Sequence, residues 1–459
     1  MRILITGATG LIGKELGKAL QQMGHDIVIL SRNIESAKAT LPFPAKIYRY
    51  TGQNQIPPAA LEGVEVIYNL AGENIGEKRW SPERKVTLHQ SRIKMTKDLV
   101  EAVRRQSSAK KSALKKFISV SAIGIYGDRG SEDLNESSEL HDDFLATICR
   151  DWEQESQVLT HDNIQVINPR IGIVLSPNGG ALDKLLPLFR AGIGSAVGSG
   201  KQWMSWIHLE DLVALFCHLL DSPLVGAVNA VAPNPTTNLE FSKTLAQSLH
   251  KGLFPKVPSF VLKLALGEMS TLVLSSQKVS SQKIEDDGFT FKYPQLALAL
   301  QDITHNLQDG QEEFIVEQWI PKKPEEVFPF FCDENNLEKI TPKFLNFKVL
   351  KKSSSAIQDQ TIIDYRLSLH GLPIKWKTQI LEWSPPHKFV DVQIKGPYHT
   401  WHHTHELIPL AQGTLLRDKV IYKLPFGFLG RLAAQQKVKS DVSKIFRYRR
   451  ECVAREFYH

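Results

Sequence analysis

The sequence predicts an α/β chain in two parts. The first is a doubly wound parallel sheet with a small lobe after it, and the second is an α+β unit of antiparallel strands closed by one long helix. Three observations carry this expectation. A short apolar strand runs straight into glycines at 7, 10 and 13 and from them into a helical pattern. Strand-like and helix-like segments alternate as far as about residue 230, as a parallel sheet with crossover helices requires. From residue 314 the pattern changes to successive strands and ends in a long amphipathic helix.

The opening strand is 2–6, and Leu16, Ala19, Leu20 and Met23 mark the helix that follows it. Gly7 permits a tight turn, Gly10 lets a pyrophosphate approach the backbone, and Gly13 lets the helix pack on the sheet. Thr9, Leu11 and Ile12 lie between them, where the N-terminus of the helix turns free N–H groups and a positive dipole end towards phosphate. The second strand, 26–30, completes a βαβ unit, so the turn reads as dinucleotide-binding and the sheet as Rossmann-type. That strand ends in Leu30-Ser31-Arg32. A carboxylate there would bind the ribose hydroxyls of NAD. Ser31 and Arg32 instead suit a 2′-phosphate, so NADP(H) is expected in preference to NAD(H). The competing reading is that Arg32 is a solvated loop cation.

Further strands fall at 46–50, 64–70, 116–121 and 164–168, with helices notably at 81–106 and 142–160. Residues 175–300 are less regular and read as a substrate lobe, so the first domain is 1–300. The polar stretch 301–313, with Asp309-Gly310, reads as a linker, and 314–459 as the second domain. In that domain a strand at 314–320 and short helices at 324–341 precede strands at 345–351, 360–370, 374–383, 388–395, 398–408 and 414–423. The closing helix, 426–457, carries an apolar stripe of Leu429, Leu432, Val438, Val442, Ile445, Phe446, Val453 and Phe457.

Composition is that of a soluble globular protein of 459 residues with a formal charge of +7. Residues 1–310 are nearly neutral, with 33 Lys and Arg against 32 Asp and Glu. The excess lies later and is scattered, which argues against nucleic-acid binding. Cys149, Cys217, Cys332 and Cys452 show no CxxC pairing and read as free thiols in a reducing compartment. No integral membrane segment and no cleavable leader is apparent, and a cytoplasmic location is expected.

Several stretches resemble the extended short-chain dehydrogenase/reductase superfamily, and within it the epimerase-family branch. They are Thr6-Gly-Ala-Thr-Gly-Leu-Ile-Gly13, Asn69-Leu-Ala-Gly-Glu-Asn74, Lys78-Arg-Trp80, Gln90-Ser-Arg92, Ser121-Ala-Ile-Gly-Ile-Tyr-Gly-Asp128, Pro169-Arg-Ile-Gly-Ile-Val-Leu175 and Trp206-Ile-His-Leu-Glu-Asp211. The resemblance implies an NADP(H) cleft acting on a small-molecule substrate. Leu70, Ala71 and Gly72 end a strand with small residues and admit the cofactor near its nicotinamide ribose. Glu73 and Arg79 follow in a loop able to close over the nucleotide, or else pair with each other. Pro169 and Arg170 end a further strand on the same edge. His208 reads as a structural histidine rather than a base.

Reductases and epimerases of this superfamily use a Tyr-x-x-x-Lys pair beside a hydroxyl residue. This chain has none; Cys149 and Glu153 stand at that spacing, and a thiol and an anion cannot replace a phenol activated by an ammonium. Ser121 and Tyr126 remain as catalytic candidates, and Ser121 also borders the cofactor. Two readings stand: a variant oxidoreductase or epimerase, or a catalytically silent NADP(H)-binding regulatory module of the kind linked in plants to chloroplast division.

Residues 314–459 resemble the START-like, helix-grip superfamily of lipid and polyketide-type ligand binders. The resemblance rests on Pro324-Glu-Glu-Val-Phe328, Gly396-Pro-Tyr, Trp401, His403-Thr-His405, Asp418-Lys-Val-Ile-Tyr422 and the final helix. It implies a cavity for a hydrophobic or lipid-like ligand. On a strand, His403 and His405 share a face with Trp401 and His399, while His402 points the other way. No carboxylate or cysteine set accompanies them in the sequence, so no metal is expected.

Overall fold

In a computed structural model of the chain, residues 1–53, 55–109, 112–410, 412–425 and 427–458 are described. For 306, 308, 309, 334, 335 and 427–436 the description covers the backbone alone. Contacts divide the chain into two units, Met1–Arg32 with Ala45–His305, and Asn33–Pro44 with Asn306–His459.

The first unit is built on β1 (Arg2–Thr6), β2 (Asp26–Ser31), β3 (Lys46–Arg49), β4 (Val66–Asn69), β5 (Lys116–Ser119), β6 (Gln165–Ile171) and β7 (Gly226–Ala230). Their order across the sheet is β7-β6-β5-β4-β1-β2-β3, and every pairing is parallel. β1 reads Ile3-Leu-Ile5 without alternation because both faces are buried, as parallel sheets demand. The helices that cover it include α1 (Leu11–Gln22), α2 (Pro82–Ser108) and α3 (Phe144–Gln157). Strand order reverses between β1 and β4, so the crevice outside their carboxyl ends is where a doubly wound sheet binds ligands. Beyond β5, Ser121–Ala122 continues along β6 beside Arg170 and Ile171.

The lobe after β6 is stitched by short pairings: Trp206–His208 with Ile173–Leu175, and Trp203–Met204 with Thr236–Thr237. The stretch read as a linker carries backbone of regular form. A helix spans Leu296–Thr304, a 3₁₀ turn spans His305–Gly310, and the next strand begins at Gln311. No helix among the described residues is long and apolar enough to cross a membrane.

The second unit is an antiparallel sheet of β8 (Gln311–Ile320), β9 (Lys348–Lys352), β10 (Ile362–Leu369), β11 (Leu372–Ser384), β12 (Lys388–Lys395), β13 (Thr400–Leu410) and β14 (Gly413–Lys423), in the order β8-β14-β13-β12-β11-β10-β9. Helix α4 (Pro324–Cys332) follows β8, and α5 (Gly427–Phe457) closes the chain. On α5, Val442, Phe446 and Val453 are buried, while Leu429 and Leu432 lie outside the described side chains. Phe446 meets Phe314 of β8 and His403 of β13, with ring centroids 5.4 and 5.3 Å apart, so α5 lies across that end of the sheet.

Segment Asn33–Pro44 of the second unit comes from far upstream in the chain. The Trp319 N–H donates to the Leu41 carbonyl at 2.8 Å, and the Tyr458 hydroxyl donates to the carbonyls of Lys38 at 3.3 Å and Trp319 at 2.8 Å. Leu41 and Phe43 are buried.

Candidate functional site

At the end of β1 the chain turns at Gly7, whose φ of +69° lies in the left-handed region, and the Gly10 N–H closes the turn on the Gly7 carbonyl at 3.0 Å. A side chain at Gly7 would stand 2.8 Å from the Leu70 carbonyl, and one at Gly13 only 2.4 Å from the Gly7 carbonyl. These two glycines therefore let the turn lie against the end of β4 and let α1 lie against the turn. Gly10 differs. A Cβ there meets only the Gly7 carbonyl, at 3.2 Å, and its backbone is extended. Gly10 caps α1 without a side-chain hydrogen bond. The amides of Leu11, Ile12 and Gly13 at the start of that helix have no acceptor within it, as an anion-binding cradle requires.

A buried polar net fixes the neighbouring strand ends. The Thr6 hydroxyl donates to Asn69 Oδ1 at 2.9 Å and accepts from the N–H groups of Leu70 and Ala71, each at 3.1 Å. The Asn69 amide donates to Thr96 at 2.7 Å and to Ser119 at 3.0 Å. A Cβ at Gly72 would stand 3.0 Å from Arg92 Cζ. Sequence reasoning assigned Arg92 no role. Its guanidinium donates to the carbonyls of Glu73 and Leu88 at 3.0 Å and lies over the Trp152 ring.

Arg32 leaves the end of β2 with a side chain 80% exposed and reaches Glu73 Oε1 at 3.4 Å. Glu73 also takes Arg84 at 3.4 Å, so its ion pairs are with Arg32 and Arg84 rather than with Arg79. Arg79 is turned towards the lobe, where Nη2 lies 3.5 Å from the Leu264 carbonyl. His208 is structural: it caps the following helix, its Nδ1 accepting from the Glu210 N–H at 3.2 Å, and it stacks on Tyr293.

Around the place of the missing tyrosine and lysine, Arg170, Glu153 and Tyr126 form one buried group. Arg170 binds both oxygens of Glu153 at 2.9 Å and donates to the Tyr126 hydroxyl at 2.9 Å and the Glu136 carbonyl at 3.3 Å. Four of the five N–H donors of Arg170 are thereby engaged inside the fold. Its neighbour Pro169 is part of the same buried strand. Tyr126 is fully buried, and its hydroxyl donates to Asn229 at 2.7 Å. Burial raises its pKa despite the adjacent Arg170, and its hydroxyl is held between Asn229 and Arg170. Cys149 is pushed up to about 11, by burial first and then by the nearby Glu153 carboxylate. Ser121 is the exception. It is 3% exposed, its hydroxyl makes no well-formed hydrogen bond, and the Cys149 thiol is its polar neighbour.

In the second unit the structure overturns the expectation that His403 and His405 stand without carboxylates. Cross-strand register sets Asp391 opposite His403 and Asp418 opposite His405, and all four side chains meet beneath α5. Those carboxylates are 12 or more residues away in sequence from the histidine each pairs across the sheet, which is why spacing could not reveal them. His399 precedes the strand and is exposed.

Residues 3–231 match the NAD dependent epimerase/dehydratase family, 257–303 a domain of unknown function, and 320–443 the polyketide cyclase / dehydrase and lipid transport family. The chain is 36% identical over 306 residues to the chloroplastic epimerase family protein SDR39U1 homolog of Arabidopsis thaliana, covering 66% of this chain and 86% of that one. It is 33% identical over 305 residues to the epimerase family protein YfhF of Bacillus subtilis, covering 66% and 98%. Among solved structures, the human epimerase family protein SDR39U1 with NADPH is 30% identical, with a TM-score of 0.60, covering 67% of this chain and all of that one.

Proposed function

Since the chain belongs to the epimerase family, with a polyketide cyclase and lipid transport domain after it, we propose that its first unit holds NADP(H) and acts on a small molecule at an oxygen-bearing carbon. The Gly7–Gly13 turn and the first amides of α1 take the pyrophosphate, Ser31 and Arg32 the 2′-phosphate, and Leu70, Ala71 and Gly72 the nicotinamide side. Bound there, NADP(H) supplies or accepts hydride.

The observation that carries the catalytic part is the Ser121 hydroxyl. It lies just past β5, on the carboxyl edge that holds the glycine turn, and is buried without a well-formed hydrogen bond. A substrate oxygen would satisfy it, and Ser121 is therefore the group that orients that oxygen. The second unit supplies a site for a hydrophobic molecule and delivers it to the first. A second reading, a silent NADP(H)-binding sensor, is favoured by one observation. The Glu153–Arg170 pair fills the place where a tyrosine-activating lysine would stand.

Loss of NADPH absorbance with a panel of aldehydes, ketones and nucleotide sugars separates the two. The catalytic reading predicts turnover that falls at least about tenfold in Ser121→Ala, within the range for loss of one substrate-orienting hydrogen bond. Turnover unaffected by that change would remove Ser121 from its role. NADPH binding with no turnover on any carbonyl would leave the sensor.

A further inference from the structure

His403 and His405 lie two residues apart on β13, so their imidazoles project from one face, with ring centroids 3.8 Å apart. Asp391 Oδ2 lies 3.1 Å from His403 Nδ1 and 3.0 Å from His405 Nε2. On the other edge of both rings, Asp418 Oδ1 lies 3.1 Å from His403 Nε2 and 2.8 Å from His405 Nδ1. The guanidinium of Arg449, from α5, closes this second corner, Nη2 lying 3.5 Å from Asp418 and 3.1 Å from His405 Nδ1. His403, His405 and Asp418 are each at most 5% exposed.

Proton counting makes this arrangement hard to satisfy by hydrogen bonds alone. All four ring nitrogens face a carboxylate oxygen at 3.1 Å or less. Four donors would require two imidazolium ions stacked on each other beside an arginine, three buried cations against two carboxylates. If one imidazole is neutral, one nitrogen sets a lone pair against a carboxylate lone pair. Were that nitrogen His405 Nδ1, it would accept from Arg449, yet it would still face Asp418 at 2.8 Å. A cation bound by Asp391, His403 Nδ1 and His405 Nε2 removes the conflict. Both remaining ring nitrogens then carry N–H groups that donate to Asp418, and Arg449, 3.1 Å from His405 Nδ1, must turn its N–H from that nitrogen to the Asp418 carboxylate.

We propose that Asp391, His403 and His405 form a binding site for a divalent transition-metal ion, with Asp418 orienting both imidazoles from behind. Three features fit. One donor atom from each of the three residues lies within 4.8 Å of the other two. Ligands about 2.1 Å from a metal stand about 3.0 Å apart at right angles and about 3.4 Å apart in a tetrahedron, so the 3.0–3.1 Å from Asp391 to each histidine fits octahedral coordination with little adjustment. Metal-bound histidines also hold their second nitrogen against a carboxylate, the position Asp418 occupies. Three protein ligands are the number that a catalytic or partly filled transition-metal site uses. The neighbouring wall is aromatic: Trp401 meets His403 edge-on at 6.3 Å, and Tyr398, Tyr422 and Trp376 pack around Trp401.

The test is a Co²⁺ titration of the chelator-treated full-length protein, followed by visible absorption, with Zn²⁺ as competitor. The expected result is one saturable equivalent per chain with a nitrogen and oxygen ligand spectrum, lacking the thiolate charge-transfer bands that binding at cysteine would produce. His403→Gln and Asp391→Asn should weaken binding at least about 100-fold, and Asp418→Asn about 10- to 100-fold. Absence of saturable binding to the wild-type protein would overturn the proposal, whatever the variants do. So would a thiolate spectrum, or stoichiometric binding that survives both ligand substitutions in folded protein.

Discussion

Gly10→Val should abolish measurable NADPH binding, with an affinity loss of at least about 100-fold, or about 2.7 kcal/mol, and leave the fold intact. The two halves of that expectation come from different facts. Gly10 has φ −79° and ψ 175°, an extended conformation that valine adopts readily, and an added Cβ meets only the Gly7 carbonyl at 3.2 Å. The branched side chain would then occupy the approach to the amides of α1 that the pyrophosphate needs. Gly13→Val serves as the contrast: its Cβ would stand 2.4 Å from the Gly7 carbonyl, so that variant should fail by unfolding instead. Calorimetric titration of NADPH together with thermal unfolding separates the cases. Gly10→Val binding NADPH normally would place the phosphates elsewhere.

Glu153→Ala should lower the stability of the first unit by about 3–5 kcal/mol, the typical result of removing one partner of a buried ion pair. Arg170 has a side chain only 5% exposed and takes both Glu153 oxygens at 2.9 Å. Burial works against its charge, and it is the Glu153 carboxylate that holds its pKa up. Without Glu153 the guanidinium remains buried against the Tyr126 hydroxyl and the Glu136 carbonyl. Replacing both partners with apolar residues, Glu153→Leu with Arg170→Met, should recover much of the loss, because no uncompensated charge remains. Denaturant unfolding of the wild-type protein and the two variants checks this. A Glu153→Ala protein of wild-type stability that has lost turnover would mean that the pair does chemistry rather than holding the strand ends together.

The first sheet was legible because parallel strands buried on both faces leave continuous apolar runs, and because glycines that must sit beneath neighbouring backbone cannot be replaced. Gly7 and Gly13 are fixed by contacts of 2.8 Å or less. The alternating strands of the second unit were legible for a related reason, since one face of that sheet packs beneath α5. Partnerships between distant residues were not legible. Spacing on α3 shows that Cys149 and Glu153 replace the usual pair, but not that Glu153 reaches across to Arg170 on β6. The Trp401 to His405 run shows two histidines on one face, but the carboxylates that complete the group come from β12 and β14. Nor does local pattern reveal that Asn33–Pro44, just after Arg32, packs with the second unit, because the Leu41 and Lys38 carbonyls that bind Trp319 and Tyr458 are backbone groups common to any residue.

We propose that the cleft outside β1, β2 and β4 holds NADP(H), with Arg32 at its 2′-phosphate. This is tested most directly by titrating wild-type protein and Arg32→Ala with NADPH and with NADH. Arg32 is exposed, and its contact with Glu73 at 3.4 Å is a weak surface pair, so the substitution should cost little stability. Wild-type protein should bind NADPH at least about tenfold more tightly than NADH. Arg32→Ala should lose most of that difference by weakening NADPH alone, since a charge-assisted contact to phosphate contributes about 1.5–3 kcal/mol. Equal affinity of the wild-type protein for both nucleotides, or an NADPH affinity untouched by Arg32→Ala, would contradict it.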